Sequence, residues 1–131
     1  MSVAVALCLG WLGAAPVRVE ADRFQLSWTH SVQKTRWTEE WAVTDGGLVA
    51  VSASVAGSGA GMEVPDGAVR DGAGWRWTPD LPPQPRLVLA ASEHTPDHTL
   101  CARGTCRPLK AWLGEGAGPV ELRPCLEKAR P

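Results

Sequence analysis

Glycine and proline recur so often along this chain that they limit the length of every regular segment. The 131 residues include 14 Gly and 11 Pro, which interrupt helices and, where they cluster, mark turns. The apolar runs between these clusters are short, which favours strands. The chain length fits one domain over residues 1–131. We therefore predict an all-β fold: a single-domain antiparallel β-sandwich or partly open barrel of about seven to nine short strands, with very little helix.

The segment from Phe24 to Val43 predicts a β-hairpin. Side chains alternate along both arms, so that each arm has one mainly apolar face. Closing the hairpin over a turn at 33–36 pairs the two faces in a single register. The first face contains Phe24, Leu26, Trp28, His30 and Val32. In the expected register Val32 lies opposite Trp37, and His30, Trp28 and Leu26 lie opposite Glu39, Trp41 and Val43 in that order.

The predicted register sets one acid and one base among indole rings. His30 lies opposite Glu39, and Trp28 lies opposite Trp41, on a face that otherwise consists of core residues. The acid–base pair either fixes the hairpin as a buried polar pair, or forms the polar floor of a ligand pocket that Trp37 also lines. His30, Glu39, Trp28 and Trp41 are therefore candidate ligand- or partner-binding residues.

A catalytic interpretation of the same pair is a small hydrolase. His30 would act as the base and Glu39 would orient it, and this mechanism needs a nucleophile beside the imidazole. Ser31 points to the opposite face of a strand, which leaves Ser58 as the candidate nucleophile. The residues around Ser58 lack the Gly-x-Ser-x-Gly spacing of a nucleophile elbow. The sequence therefore favours a binding protein over an enzyme and indicates no cofactor.

The glycine-rich segment 57–62 resembles a phosphate-binding loop only superficially. A phosphate loop opens a helix whose N-terminal amides hold the anion. This segment continues instead into Glu63, Val64 and Pro65, which do not start a long helix. We expect a tight or bulged turn where another backbone passes close by. Gly59 and Gly61 are included among the candidate ligand- or partner-binding residues.

Charge and hydropathy argue against two classes of partner. The net charge is −1, and the nearest approach to a basic patch is Arg103, Arg107 and Lys110, with few aromatic residues among them. Nucleic-acid binding is therefore not expected. The apolar run 3–15 is too short for a transmembrane helix, which needs about 20 residues. No basic residue precedes Arg18, so a strand at 3–9 and a turn at 10–13 are favoured over a residual export signal within 1–23.

The four cysteines predict two disulfides. Cys101 and Cys106 flank a short hairpin turn with Gly104 at its left-handed position, so their side chains face each other. Cys8 and Cys125 would join the two ends of the chain and close a loop of more than ~100 residues. Two such bonds indicate an oxidising compartment, periplasmic or extracellular.

A zinc site is the alternative use of two of these cysteines. His94, His98, Cys101 and Cys106 offer four zinc-type ligands within thirteen residues. However, a turn at 96–97 separates the histidines, and a hairpin would point His98 and Cys101 to opposite faces. The disulfide is therefore favoured, and no metal is expected.

Two motifs in the central part of the chain are shared with a known family. The first is Thr-His-Ser-Val at 29–32 followed by Thr35 and Glu39, and the second is Gly-Ala-Gly at 59–61. With these motifs the chain resembles the domain of unknown function 1850, a family of small bacterial proteins, over roughly residues 24–125. The cysteine hairpin also resembles that of one branch of the family. The chain departs from the family at 36–37, where many relatives have proline and an aliphatic residue.

The resemblance implies a genetic neighbourhood and carries no established activity. Proteins of this family tend to be encoded beside TRAP transporters of the TAXI type. Together with the small size, the expected disulfides and the all-β prediction, this context favours a non-enzymatic accessory or binding module outside the cytoplasm. Its expected partner is a TRAP permease or substrate-binding protein.

Overall fold

The computed structural model describes residues 5–29, 35–56, 65–72, 74–90 and 98–126. These residues form two antiparallel sheets that pack face to face, so the predicted all-β sandwich is confirmed. The elements are β1 (Val5–Trp11), β2 (Val17–Val19), β3 (Arg23–Thr29), β4 (Arg36–Thr44), β5 (Gly47–Val55), β6 (Val69–Asp71), β7 (Gly74–Trp77), β8 (Leu87–Leu89), β9 (Thr99–Ala102), β10 (Thr105–Pro108), α1 (Leu109–Leu113) and β11 (Val120–Leu126). The described residues thus contain eleven strands, more than expected, partly because β2 forms a short edge strand that the sequence did not indicate.

The two sheets differ in size and in how their strands follow one another. The smaller sheet has the order β2-β1-β11-β8, and the larger has the order β10-β9-β3-β4-β5-β7-β6. Hairpins join β3 to β4, β4 to β5, β6 to β7 and β9 to β10. Four pairings join strands that are not consecutive along the chain: β1 with β11, β8 with β11, β3 with β9, and β5 with β7. The β3–β9 pairing brings the cysteine hairpin against the hairpin of β3 and β4.

The hydrophobic core lies between the two sheets. Strands β1 and β11 provide aliphatic side chains from the smaller sheet, and the larger sheet provides mainly aromatic and aliphatic ones. The principal buried members are Leu7, Leu9, Val120 and Leu122 on the smaller sheet, and Phe24, Leu26, Trp41, Val43, Leu48 and Leu100 on the larger. Leu109 of α1 completes the cluster, and the partly exposed Trp28 borders it.

Strand β1 confirms the expected first strand, with a shifted end. It runs to Trp11, and the turn follows at 12–13, because Gly10 stays within the strand. A Cβ atom at Gly10 would lie 3.1 Å from Cα of Pro16, so the absence of a side chain lets the returning chain pack closely. Among the described residues, no helix has the length and apolar character needed to cross a membrane.

Strand β5 departs from simple alternation. Alternation predicts that Val49, Val51 and Val55 share one face, yet Val55 is buried and the other two are only partly buried. The pairing of β5 with β4 shifts between Glu40 and Trp41, which leaves Val51 as the extra residue of a β-bulge. The bulge changes which residues face the core on either side of it.

Both predicted disulfides are confirmed. Cys8 of β1 is bonded to Cys125 of β11, and Cys101 is bonded to Cys106 directly across the β9–β10 pair. The hairpin turn between β9 and β10 has both central residues in the left-handed region, with φ of 53° at Arg103 and 79° at Gly104. Turns of this kind match the twist of the strands that they join.

Candidate functional site

The hairpin of β3 and β4 has a register different from the predicted one. The residues that face each other are Trp28 and Trp37, Leu26 and Glu39, and Phe24 and Trp41. The predicted pairing of His30 with Glu39 is therefore wrong, and Trp28 does not face Trp41. Relative to the prediction, the partner of each β3 residue lies four residues earlier on β4.

Contacts between aromatic rings account for the observed register. Trp28 and Trp37 lie nearly parallel, with ring centroids 6.3 Å apart and planes 9° apart. Phe24 and Trp41 form a similar pair at 6.5 Å and 7°. Such cross-strand aromatic pairs stabilise a sheet. Because the displacement is an even number of residues, the side chains stay on the predicted face although their partners change.

A row of aromatic rings crosses the larger sheet at the end where β3 finishes. Trp28 lies beside Trp37 on β4, Trp77 of β7 meets the Trp37 ring edge-on at 6.1 Å, and His98 lies 5.1 Å from the Trp28 ring. We refer to Trp28, Trp37, Trp77 and His98 as the aromatic row. All four side chains are half-buried. The row therefore continues the core outward and keeps part of its ring surface accessible.

Glu39 lies next to the aromatic row, on the same face of β4 as Trp37. Its neighbours across the sheet are Leu26 on β3 and Ala53 on β5, both buried. The Trp41 indole donates a hydrogen bond from Nε1 to Oε1 of Glu39 at 3.1 Å. Burial raises the pKa of Glu39 above its ordinary value of 4.5, and the hydrogen bond from Trp41 opposes that rise. The carboxyl group is thus held in a largely apolar setting with one donor.

The basic residues nearest to Glu39 in the sequence or in the described sheet do not form an ion pair with its carboxylate. Within the described parts of the chain, no lysine or arginine forms an ion pair with it. Arg36 instead donates from Nη2 to Oγ of Ser27 at 2.7 Å, on the other face of the sheet. Arg76 lies on the other face of β7, between two tryptophans that share the inner face. The described residues therefore leave the Glu39 charge without an opposite charge.

One ring nitrogen in the row is also without a partner. Trp37 Nε1 is buried and has no hydrogen-bond acceptor among the described residues, a situation that typically costs about 1–3 kcal/mol. Trp11 Nε1 is in the same condition, and the Trp11 ring packs where a side chain at Gly116 would lie. An unpaired indole donor therefore occurs outside the row as well, and Glu39 is the feature that distinguishes the site.

Some of the predicted site residues are among the described residues, and others are not. Glu39 and Trp28 lie at the aromatic row, as described above. Trp41 is 3% exposed, packs against Phe24, and takes part through its ring N–H. The predicted residues His30, Gly59 and Gly61 lie outside the described residues, as does Ser58, so they remain predictions. The hydrolase alternative loses the cross-strand His30–Glu39 pair that suggested it.

Trp77 and His98 belong to the row but were not among the predicted binding residues. The alternation of Trp75, Arg76 and Trp77 predicts a strand with both indoles on one face, but not which strand it would adjoin. Trp77 reaches Trp37 because β7 pairs with β5, and β5 pairs with β4. His98 reaches Trp28 because β9 pairs with β3. Both neighbours depend on strand order, which one sequence does not specify.

The zinc alternative is excluded for the two cysteines that it needed. Cys101 and Cys106 are bonded to each other, and His98 packs beside Trp28. His94 lies outside the described residues. In the portions of the chain that the structure describes, no three side chains among His, Cys, Asp and Glu gather as a metal site would require.

Two grooves lie at the opposite end of the larger sheet. One has a volume of about 380 Å³ and is lined by Glu20, Asp22, Arg23 and Arg103 among others. The second has a volume of about 230 Å³ and shares Arg23 and Arg103 with the first. Their charged groups already bind within the protein, because Arg23 pairs with Glu40 at 3.3 Å and Arg103 donates to the backbone oxygen of Glu20. The aromatic row lies beside an acid that no described lysine or arginine pairs with, and it is the better candidate site.

The fold and the row define an antiparallel β-sandwich with a half-buried acidic and aromatic surface. The chain belongs to the family described as Domain of unknown function (DUF1850), whose sequence model matches residues 24–109, and the predicted family resemblance is thereby confirmed. The matched range contains Glu39, the aromatic row and the Cys101–Cys106 hairpin, whereas β1 and β11 lie outside it. No curated protein and no solved structure is significantly similar to the chain.

Proposed function

We propose that the protein is a non-enzymatic binding module whose aromatic row and Glu39 contact a ligand or a partner. The observation that carries this proposal is the half-buried carboxylate of Glu39, flanked by Leu26 and Ala53, with one hydrogen-bond donor among the described residues. Desolvating a carboxylate is unfavourable unless another group compensates it. Acids whose pKa is shifted by burial, beside accessible aromatic surface, are typical of functional sites. His30, Gly59 and Gly61 belong to this proposal through the family motifs that contain them.

We propose that the module works outside the cytoplasm. Both disulfides support this location, because such bonds persist mainly in oxidising compartments. Cys8 and Cys125 connect the first and last strands, so the bond is part of the fold and not an addition at its surface.

We further propose that the partner is a TRAP transporter of the TAXI type. The support for this step is the family membership together with the genetic neighbourhood that the family resemblance implies. The module would hold a solute or a transporter component near the membrane, either the permease or its substrate-binding protein.

A pull-down from native membranes tests the proposed function. The tagged protein is expressed at its natural level in its source organism, and retained proteins are identified by mass spectrometry. We expect enrichment of a TAXI-type permease or substrate-binding protein over a tag-only control. Recovery of neither component with the parent protein would contradict the transporter partnership.

Two substitutions at neighbouring positions test whether the retained partner contacts the row. Glu39→Gln removes the charge at the row, and Glu40→Gln removes the adjacent charge on the other face of β4, where the side chain is 40% exposed. Loss of retention with the first variant alone assigns the partner contact to the row. Full retention with both variants would contradict a partner contact through Glu39.

A further inference from the structure

The aromatic row differs from Trp75 and Trp112 in what covers the faces of its rings. Arg70 lies over the Trp75 ring at 5.0 Å, and Arg107 lies over the Trp112 ring at 5.2 Å. Each of those rings therefore already has a cation of the protein against its face. In the described part of the molecule, no arginine or lysine is stacked in this way on Trp28, Trp37 or Trp77.

The rings of the row have orientations suited to enclosing a small group. Trp28 and Trp37 are nearly parallel, whereas the plane of Trp77 stands 86° from that of Trp37. The Trp37 and Trp77 rings meet edge to face, so the row presents ring faces in two directions. Aromatic cages bind cations because the face of each ring carries partial negative charge.

Glu39 places a carboxyl group beside Trp37 of the row. It lies two residues from Trp37 on the same face of β4, and its pKa is raised by burial. A cation at the row would interact with the carboxylate through a medium of lower dielectric constant than water, which strengthens the attraction. His98 is the other titratable described side chain at the row, beside Trp28.

The hydrogen-bonding capacity of the row selects among cations. A primary ammonium has three N–H donors and loses strong hydration when it is buried. Among the described residues, the acceptors at the row are the ring of His98 and the Glu39 carboxylate, whose Oε1 atom already accepts from Trp41. A methylated ammonium needs few or no acceptors and presents methyl groups to the rings.

We propose that the aromatic row and Glu39 form a binding site for a methylated ammonium group of a small organic ligand. This inference rests on the proposed function, because it names the ligand class of the same surface. The rings contact the methyl groups, and the Glu39 carboxylate balances the positive charge.

A matched pair of probes tests this inference on the intact, oxidised protein. Choline carries the trimethylammonium group, and 3,3-dimethylbutan-1-ol has the same shape with a carbon in place of the charged nitrogen. Affinities are measured by isothermal titration calorimetry at constant ionic strength, and indole N–H signals in NMR spectra locate the contact. We expect choline to bind at least about tenfold more tightly than the alcohol, the ratio that corresponds to 1.4 kcal/mol. The signals of Trp28, Trp37 or Trp77 should shift.

Two substitutions on one strand provide the control. Glu39→Gln keeps the size of the side chain and an acceptor for Trp41, and we expect it to weaken choline binding about tenfold. Glu40→Gln should leave choline binding unchanged, because its side chain lies on the other face of β4. Melting curves of both variants verify that they are folded.

The inference is overturned if choline does not bind, if the two probes bind equally, or if Glu39→Gln binds choline as the parent does. These results bear on the charge of the ligand and not on the transporter partnership. Equal binding of the two probes with shifted indole signals would keep the row as a binding surface for uncharged ligands. The pull-down result decides the proposed function separately.

Discussion

Glu39 is a charged residue in surroundings that favour its neutral form. Leu26 and Ala53 exclude water on either side, and the Trp41 ring supplies a single hydrogen bond. Burial is the larger influence on its pKa, which therefore rises. A carboxyl group of this kind lowers the stability of the fold when it is ionised, and a cationic ligand would meet an acid that is already partly desolvated.

The effect of pH on stability follows from the direction of this shift. The folded protein holds the Glu39 proton more tightly than the unfolded chain does, so unfolding releases it in the interval between the two pKa values. The contribution of Glu39 to stability is therefore fully present below the unfolded pKa and is lost as the pH rises through the higher folded pKa.

We predict that Glu39→Gln raises the melting temperature at pH 7. The amide cannot ionise, so the variant avoids the unfavourable buried charge, and its oxygen still accepts from Trp41. The advantage should shrink as the pH falls and disappear below about pH 4, where the parent side chain is also neutral. Scanning calorimetry of both proteins from about pH 3.5 to about pH 7.5 gives the difference in melting temperature directly.

Glu40→Gln serves as the control, because no comparable burial acts on its exposed side chain. Its ion pair with Arg23 spans 3.3 Å at the surface, and such pairs contribute about 0–1 kcal/mol. A Glu39→Gln variant that is less stable than the parent at pH 7 and equally so at low pH would contradict the proposed desolvation of Glu39.

At the scale of single elements, the β3–β4 hairpin shows what the alternation of apolar residues predicts and what it does not. Apolar side chains at every second position determine the inner face, and Phe24, Leu26 and Trp28 indeed share it with Trp37, Glu39 and Trp41. A slip by two or four residues preserves the same faces, so alternation does not determine the register. The ring pairs that decide it depend on the shapes of the side chains in contact.

We predict a measurable coupling between Trp28 and Trp37. Replacing each by leucine, singly and together, should give a coupling free energy of about 0.5–1.5 kcal/mol, the usual contribution of an aromatic pair beyond its buried area. Urea unfolding with the disulfides intact provides the four free energies of unfolding. The result reports on the observed register, in which these two rings are neighbours.

A second cycle with Trp41 discriminates between the two registers. Trp41 faces Phe24, which lies four residues from Trp28 along β3, a separation of about 13 Å. Leucine substitutions at Trp28 and Trp41 should therefore be additive within about 0.5 kcal/mol. Strong coupling between Trp28 and Trp41, with none between Trp28 and Trp37, would support the register expected from the turn at 33–36.

Strand β5 illustrates a second limit of sequence patterns. Its alternation is visible in the sequence, but the bulge at Val51 reverses the parity between the two halves of the strand. Val55 is consequently buried together with Ala53 of the same half-strand, near the row, while Val49 is not. A bulge has no simple sequence signature here, because it forms where β4 and β5 must both fit the core.

At the scale of the whole molecule, the cysteines were predictable because covalent geometry is restrictive. A turn that holds two cysteines opposite each other leaves few alternatives, and the remaining two then pair. Strand order was not predictable, because β3 lies between β9 and β4 through contacts far apart in the sequence. The candidate site was therefore found in part: Glu39 and Trp28 follow from the hairpin, whereas Trp77 and His98 reach the row only through that order.

We predict that the two disulfides contribute unequally to stability. The Cys8–Cys125 bond spans 117 residues and the Cys101–Cys106 bond spans 5. Chain-entropy estimates give about 5 kcal/mol for the first and about 2 kcal/mol for the second. Paired alanine substitutions, compared by chemical denaturation in the same buffer, should reproduce this order.

The burial of the cysteines, like the length of the closed loop, predicts a larger contribution to stability from the Cys8–Cys125 bond. Cys8 is 6% exposed, whereas Cys106 is exposed, so alanine leaves a cavity mainly at the first bond. A larger loss of stability on removing the Cys101–Cys106 bond would show that the hairpin, which lies against β3, stabilises the sandwich more than the joined outer strands do.

The neighbouring positions of the first and last strands also determine how the protein responds to mechanical load. Val5 lies beside Leu126, and the bond between Cys8 and Cys125 is only a few residues further along. Tension applied to the two ends of the described chain would peel those few residues apart and then pass through the sulfur atoms. The force would bypass the rest of both sheets, so a tethered molecule would stay folded while it is pulled. Once the bond is reduced, the same pull would separate β1 from β11 one residue pair after another.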